Sequence, residues 1–368
     1  MKRIAWITPR CFVETDIYAI ELLARYFSID WFIIEENKCS EYEDRIALLN
    51  SNGVSVSKMI LPGRNRSFKV LVFYYKLLCT IRRTKYDLVY NAIFGMPYYM
   101  PLEALLIEKS KIIIALHNVT IPKGSKASVL PSKLYTSFVS HVFENYHTFS
   151  LAQCEILKKR DMKKNVFHIP FVLKDYGSSS LKPLETVTFL FFGQILEYKR
   201  LDVLIRAAEA VFDRTNIKFK VKIAGSCPYW ERYEHLIHHH DLFDLTIRRI
   251  DNCEIPDLFS SCNYFVMPYQ DIAQSGALVV AINYGLPVIA SKLPSFEEYI
   301  EDRNNGFLMK PANEDDLEKI LSYIIINHNL IYPMLKLNMR RTRDNRFSSE
   351  SIIGRYIAEF NKILNSKC

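Results

Sequence analysis

The stretch VMPYQDIAQSGALVVAINYGLPVIAS, residues 266–291, shows the local pattern on which the fold depends. It begins as an apolar strand that ends at Pro268-Tyr269. A polar loop follows, and Ser275-Gly276 opens an apolar helix. Gly285 and Pro287 then read as a helix stop and the start of a second apolar strand, PVIAS (287–291). Both strands are continuous apolar runs rather than alternating ones, which is the pattern of parallel strands covered on both faces.

The same alternation extends outward in both directions. In the C-terminal half, strands are predicted at TVTFLFFG (186–193), KFKVKIAG (218–225), LTIRRI (245–250), YFVMPY (264–269) and GFLMK (306–310). Helices are predicted at 201–212, 314–327 and about 349–365. Asp315 and Asp316 fit capping and dipole roles at the start of the second of these.

In the N-terminal half, strands are predicted at RIAWIT (3–8), IDWFII (29–34), VSKMIL (56–61), YDLVYN (86–91) and KIIIALHN (111–118), then near 147–150 and at 165–170. A helix between the first two strands, with Ile20, Leu23, Ala24 and Phe27 on one face, would start at Thr15 or Asp16. Further helices are expected at 131–144 and 152–160. LKDYGSSSLKPLE (173–185) breaks the pattern and reads as an interdomain linker. The expected fold class is α/β, with two Rossmann-like doubly wound parallel sheets facing across a cleft. The expected domains are 1–172, 185–345 and a C-terminal helix, 346–368, that packs back toward the first domain.

Composition sets the outer bounds. A length of 368 residues suggests two domains, and 49% hydrophobic content supplies two cores. No apolar run reaches the roughly 18 residues of a membrane span, and MKRIAWITPRCF lacks a secretory h-region. The expected location is therefore cytoplasmic, with peripheral attachment at the inner face of the cell membrane as an option. The eight cysteines form no CxxC pair, which favours reduced, mostly buried thiols. Walker lysine, GxSxG, HExxH and GxGxxG motifs are absent. His235, His238 and His239 would share a helix face, but no carboxylate or cysteine cluster accompanies them, so a solvated helix end is preferred to a metal site.

Ligands of open α/β sheets bind beyond the carboxyl ends of the strands. In FFGQILEYKR (191–200), Gly193 and Gln194 follow a strand, and Lys199 opens a helix. Such a lysine either reaches a phosphate as a point charge or is simply solvated. The free N–H groups at Ser275, Gly276 and Ala277, after Gln274, form either an anion site or an ordinary Ser-capped helix start. Gly225 ends the strand of KIAGSC (222–227). His117 ends KIIIALHN and could contact a sugar hydroxyl or be satisfied locally.

In this order, the pieces from about Phe189 to Leu321 resemble the C-terminal domain of retaining glycosyltransferases with the GT-B fold, the group 1 type common in bacterial polysaccharide and lipopolysaccharide synthesis. The resemblance covers the strand-Gly-loop-Lys segment with LDVLIRA, the KIAG strand, IPDLFSSC before YFVMPY, GLPVIAS and FEEYIEDRNNGFL. IIIALHNV and FSLAQCEILKK extend it loosely into the first half.

It implies transfer of a sugar from a nucleotide diphosphate sugar, with retention and without a bound metal or other cofactor. It implies a donor held by the second domain and an acceptor held by the first. Lys199 matches the diphosphate-binding lysine, Ser275, Gly276 and Ala277 match the backbone facing the donor, His117 matches a strand-end histidine that contacts the transferred sugar, and Glu298 matches a frequent glutamate. Gln274-Ser275-Gly276 resembles the Gln-Ser-Gly turn of a subgroup. The family often has Arg at the position of Gln194 and two Glu at those of Ile272 and Val280. Its first-loop glycine pair is replaced by Pro9-Arg10-Cys11-Phe12.

Net charge is +8, and its distribution points to partners. From Arg45 to Tyr86 there are nine basic and no acidic residues, leaving the remainder at −1. Segment 64–85 reads either as a basic apolar helix lying on an anionic membrane, consistent with a glycan or lipid-linked acceptor, or as a core helix with a basic rim. No nucleic-acid motif accompanies the charge. A catalytically silent nucleotide-sugar-binding or scaffold protein and a nucleotide-sugar epimerase are the competing functions.

Overall fold

The computed structural model of the protein describes residues 1–37, 42–93, 98–119, 138–139, 141–160, 162–181 and 185–366. These form two compact units, one of the described residues up to 172 with 349–366, the other of those from 173 to 348.

The first unit contains β1 (Arg3–Pro9), α1 (Val13–Leu23), β2 (Ser28–Glu35), α2 (Glu43–Ser51), β3 (Ser55–Ile60), α3 (Phe68–Thr84), β4 (Leu88–Asn91), α4 (Tyr99–Leu106), β5 (Ile112–Leu116), β6 (Asn145–Thr148), α5 (Leu151–Arg160) and β7 (Asn165–His168). All pairings are parallel, in the order β3-β2-β1-β4-β5-β6-β7. Every residue of β5 is buried, as the unbroken IIIAL run requires.

Helix α1 begins at Val13, not at Thr15 or Asp16. Asp16 is buried inside it, and its Oδ2 accepts from Trp6 Nε1 at 3.0 Å and Thr8 Oγ1 at 2.6 Å. A side chain that could have capped the helix instead binds two donors of β1. Most of the helix expected at 131–144 lies outside the described residues.

The second unit contains β8 (Thr188–Phe192), α6 (Leu201–Thr215), β9 (Lys220–Ala224), β10 (Phe243–Thr246), α7 (Ile255–Ser260), β11 (Tyr264–Met267), α8 (Gly276–Asn283), β12 (Val288–Ser291), β13 (Gly306–Met309) and α9 (Glu314–Arg346). Its sheet is also parallel, in the order β10-β9-β8-β11-β12-β13. The strand order reverses between β8 and β11. That is the topological switch point at which doubly wound sheets bind ligands.

Several expectations need correction. β10 ends at Thr246 rather than Ile250, because Arg248 turns out to pair with Glu254 at 2.6 Å. Helix α9 does not stop at 327 but runs on to Arg346 through Pro333. The buried Ile331, Leu335 and Met339 anchor it past the proline. The stretch 173–181 is not a free linker. Leu173 and Lys174 are buried, Ser179 Oγ donates to Asp257 at 2.6 Å, and Gly177 O accepts from Tyr284 at 3.0 Å. Of the described cysteines, Cys154 and Cys262 are buried, whereas Cys11 and Cys253 sit in exposed short turns and Cys79 and Cys227 are half-buried.

The last helix, α10 (Ser349–Asn365), belongs to the first unit. Its Phe360 packs against Phe27 and Trp6, with ring centroids at 5.7 and 6.4 Å. Among the described residues, no helix is long and apolar enough to cross a membrane.

Candidate functional site

The second unit assembles most of the site residues predicted from sequence on the loops that leave β8 and β11. Beyond β8 the chain stays zipped to the neighbouring loop. Gly193 N–H donates to Ala224 O and Ile195 N–H to Ser226 O, both at 2.9 Å. Gly193 has φ +102° and Gly225 φ +153°. A Cβ on Gly225 would lie 2.1 Å from Gly193 O, so this glycine is required by a backbone contact within the protein. Gln194 is exposed.

The loop tightens into a turn at Glu197–Lys199, and Arg200 adopts φ +52° before α6 begins at Leu201. Arg200 clasps Asp202 through two nitrogens, at 2.9 and 2.7 Å. Lys199 therefore precedes the helix rather than opening it, and it is not solvated. It is 8% exposed. Its Nζ lies 5.6 Å from the centre of the Tyr269 ring, and a Cβ on Gly193 would lie 3.4 Å from it. Burial lowers its pKa to about 8. Among the described residues, no carboxylate pairs with it.

The β11 loop is tied to the β8 loop, since Gln270 N–H donates to Tyr198 O at 2.8 Å. Tyr198 and Tyr269 meet edge to face at 6.0 Å. The loop then passes Gln274 and enters α8. Ser275 caps this helix through a long bond, with Oγ accepting from Leu278 N–H at 3.4 Å. Helix geometry leaves the first-turn N–H groups of Gly276 and Ala277 without intrahelical acceptors. Val280 is buried on the inner face of α8, and no acid occupies the family's glutamate positions at Ile272 and Val280. Glu298 follows a single helical turn, Pro294–Glu297, and its backbone carbonyl accepts from Arg346 at 2.8 Å. Ser295 Oγ donates to Ile272 O at 3.0 Å, which fastens that turn to the β11 loop.

His117 belongs to the first unit. It is buried just past β5, between Phe12 (centroids 3.4 Å, interplanar angle 4°) and Phe149 (4.5 Å, 26°). An imidazole covered on both faces can act only through its ring edge. Tyr198 and Lys174 were not singled out in the sequence, Tyr269 was read only as a strand end, and Phe12 only as part of the first loop that lacks the glycine pair. The buried run Ile169 to Leu173 directly before Lys174 was the available signal that the chain is packed there.

The helix face expected to carry His235, His238 and His239 does not form. The helix there covers only Glu231–Glu234, and His239 meets Glu209 at 2.5 Å and Asp213 at 3.3 Å. Glu209, a carboxylate overlooked in the sequence, also accepts from the backbone N–H groups of His238 and His239. These histidines border a cavity of about 630 Å³ with Lys218 and Lys220, at the amino ends of β9 and β10. That is the sheet edge opposite Lys199.

Comparison with known proteins finds similarity over this unit. The model of the family Glycosyl transferases group 1 matches residues 175–339. A curated relative described as an uncharacterized glycosyltransferase of Haemophilus influenzae is 26% identical over 157 residues, covering 42% of this chain and 44% of the relative. The chain thus spans less than half the length of the curated relatives it matches. A glycosyltransferase from Rickettsia africae superposes with a TM-score of 0.76 at 14% identity, covering 100% of this chain and 99% of that one. Anabaena Alr3699/HepE, solved with UDP and glucose, gives a TM-score of 0.73 at 15% identity, covering 98% and 100%. The chain has a two-domain α/β GT-B fold, and its second unit is similar to the Glycosyl transferases group 1 family.

Proposed function

We propose that the protein is a glycosyltransferase that moves a sugar, with retention, from a nucleotide diphosphate sugar to a glycan or lipid-linked acceptor in cell-surface polysaccharide or lipopolysaccharide synthesis. The observation that carries the reading is Lys199. It is a buried ammonium held over Gly193 at the sheet's switch point, with no carboxylate partner among the described residues. A leaving diphosphate develops charge there, and a preorganised cation in a dry setting is a large source of rate. In this reading Lys199 and the start of α8 do the work without a metal, and the donor site is built mainly from backbone at Gly193, Gln274, Ser275, Gly276 and Ala277. His117 bonds the transferred sugar through its ring edge, and Glu298 borders the donor.

The outer face of α3 supports peripheral attachment to an anionic membrane. Val70, Tyr74, Leu77, Leu78 and Ile81 are buried, while Phe68, Lys69, Tyr75, Lys76, Arg82 and Arg83 are exposed. The apolar stripe thus serves the core, and basic and aromatic side chains are left outward.

The test is incubation with UDP-, GDP- and CDP-sugars and a cell-lipid extract as acceptor. Sugar transfer and nucleoside diphosphate release are expected, with Lys199→Ala reducing turnover about 100-fold or more. A second reading, nucleotide binding without turnover, is favoured by the apolar Ile272 and Val280. It would be established by nucleotide affinity with no turnover for any donor. Neither binding nor turnover would sink both.

A further inference from the structure

Helix α9 carries a second apolar stripe on the side away from its core. Its inward side is set by the buried Leu317, Leu321, Ile324, Ile331, Leu335 and Met339. On the opposite side Tyr323, Ile326, Leu330, Met334 and Leu337 are 41, 64, 80, 52 and 49% exposed. At 100° per residue these five fall within an arc of about 80°, and at 1.5 Å per residue they run for about 21 Å. A helix that is apolar on both sides is normally covered on both. Five large apolar side chains in one row are not the scattered exposure of an ordinary surface.

Charge indicates what covers the stripe. On the same arc the exposed Lys319 precedes it and the exposed Arg341 follows it, with the exposed Arg340 alongside. From Lys319 to Arg343 there are five basic residues and no acidic one. Glu318, the nearest acid before the stripe, pairs with Arg214 at 2.5 Å. A second copy of the chain fits poorly. Lys319 and Arg341 are each eleven residues from Leu330, so an antiparallel pair centred there would set cation against cation at both ends. A flat anionic surface satisfies both ends at once.

We propose that the outer stripe of α9 beds into an anionic lipid surface, with its apolar row at the level of the upper acyl chains and Lys319, Arg340 and Arg341 at the headgroups. This contact belongs to the second unit and does not depend on the attachment of α3 or on the donor-site reading.

The test is co-sedimentation of the full chain with mixed phosphatidylglycerol–phosphatidylcholine vesicles and with phosphatidylcholine alone, at low and high salt. Wild type should bind the mixed vesicles more tightly, and the affinity should fall with salt. Leu330→Gln/Met334→Gln should weaken binding about tenfold or more, and Arg340→Gln/Arg341→Gln should flatten the salt dependence. Leu330→Trp gives a readout of this helix alone, because its added fluorescence should be quenched by lipids brominated on their acyl chains. No vesicle binding by wild type, no added quenching in Leu330→Trp, or wild-type binding in Leu330→Gln/Met334→Gln would each overturn the proposal. Vesicle binding without that quenching, lost in Lys69→Gln/Lys76→Gln, would leave α3 as the sole contact. Quenching that persists in a Lys69→Gln/Lys76→Gln background with undiminished affinity would keep this contact and remove that of α3. A mass that rises with protein concentration without lipid, and no longer does so in Leu330→Gln/Met334→Gln, would mark the stripe as an interface between copies and overturn the lipid assignment.

Discussion

The loop after β1 and the loop after β8 occupy the same place in two sheets of the same core order, yet they end in opposite chemistry. In the first unit the chain runs through Pro9-Arg10-Cys11 to Phe12, which lies flat on His117. In the second it runs through Gly193 and Gln194 to Lys199, whose ammonium hangs over the glycine it has just passed. An aromatic lid over a histidine leaves only the ring edge open, and a buried ammonium suits an anion. Shared topology therefore fixes where each unit can bind, and a few loop residues decide what. The interiors differ too. The first unit buries ionisable groups in its core, with the Asp16 carboxyl pushed up to about 7 and the Glu103 carboxyl to about 8 by desolvation. In the second, the buried Lys199 ammonium is kept at the sheet edge.

The comparison can be broken most severely at Gly225. Its substitution by alanine drives a Cβ to 2.1 Å from Gly193 O, and both loops are hydrogen-bonded in place. A loss of about 3 kcal/mol or more is expected in denaturant unfolding, with weakened UDP binding as the Gly193 loop shifts. An unchanged midpoint would show that the loops are not rigid.

Phe12→Ala should act on the other unit alone. Losing the stacked pair should cost about 1 kcal/mol of stability. KM for the sugar donor should change several-fold while the affinity for UDP, which lacks the sugar, stays the same. A matching fall in UDP affinity would contradict the division of labour between the loops.

The smallest effect concerns Asp16. Burial raises its carboxyl pKa from 3.8 to about 7, against the lowering bonds from Thr8 and Trp6. The folded state then holds a proton that the unfolded chain releases, so this contribution to stability is present below about pH 4 and is lost by about pH 7. Wild type should lose more stability than Asp16→Asn between pH 5 and 7, as read from unfolding midpoints. Equal losses would mean that Asp16 stays ionised in the core.

Much of this was legible in the residues. Fully buried parallel strands are apolar throughout, so IIIAL and TFLFF marked themselves, and strand-Gly-loop-Lys pointed to Lys199. What failed depended on contacts distant in sequence. The burial of Lys174 beside Gly276 involves a residue far along the chain, and the surrounding Gly, Ser and Pro made its segment look like a linker. Asp16 read as a cap because its partners, Trp6 and Thr8, lie on a different element. The helix expected at 314–327 is too short because local rules cannot see the core that anchors Ile331 and Leu335 on either side of Pro333. Arg248 and Arg249 looked like part of a strand until the pairing of Arg248 with Glu254 was known.

The central claim is that Lys199 meets a diphosphate as a desolvated ammonium, and the dependence of UDP affinity on pH tests it most directly. With its pKa near 8 in the free protein, Lys199 must take up a proton to bind UDP above that pH. UDP affinity should be steady from pH 7 to 8 and then fall, approaching tenfold per pH unit, and Lys199→Met should bind weakly with no such fall. An affinity that stays level to pH 9 in wild type, or that falls equally in Lys199→Met, would contradict the account.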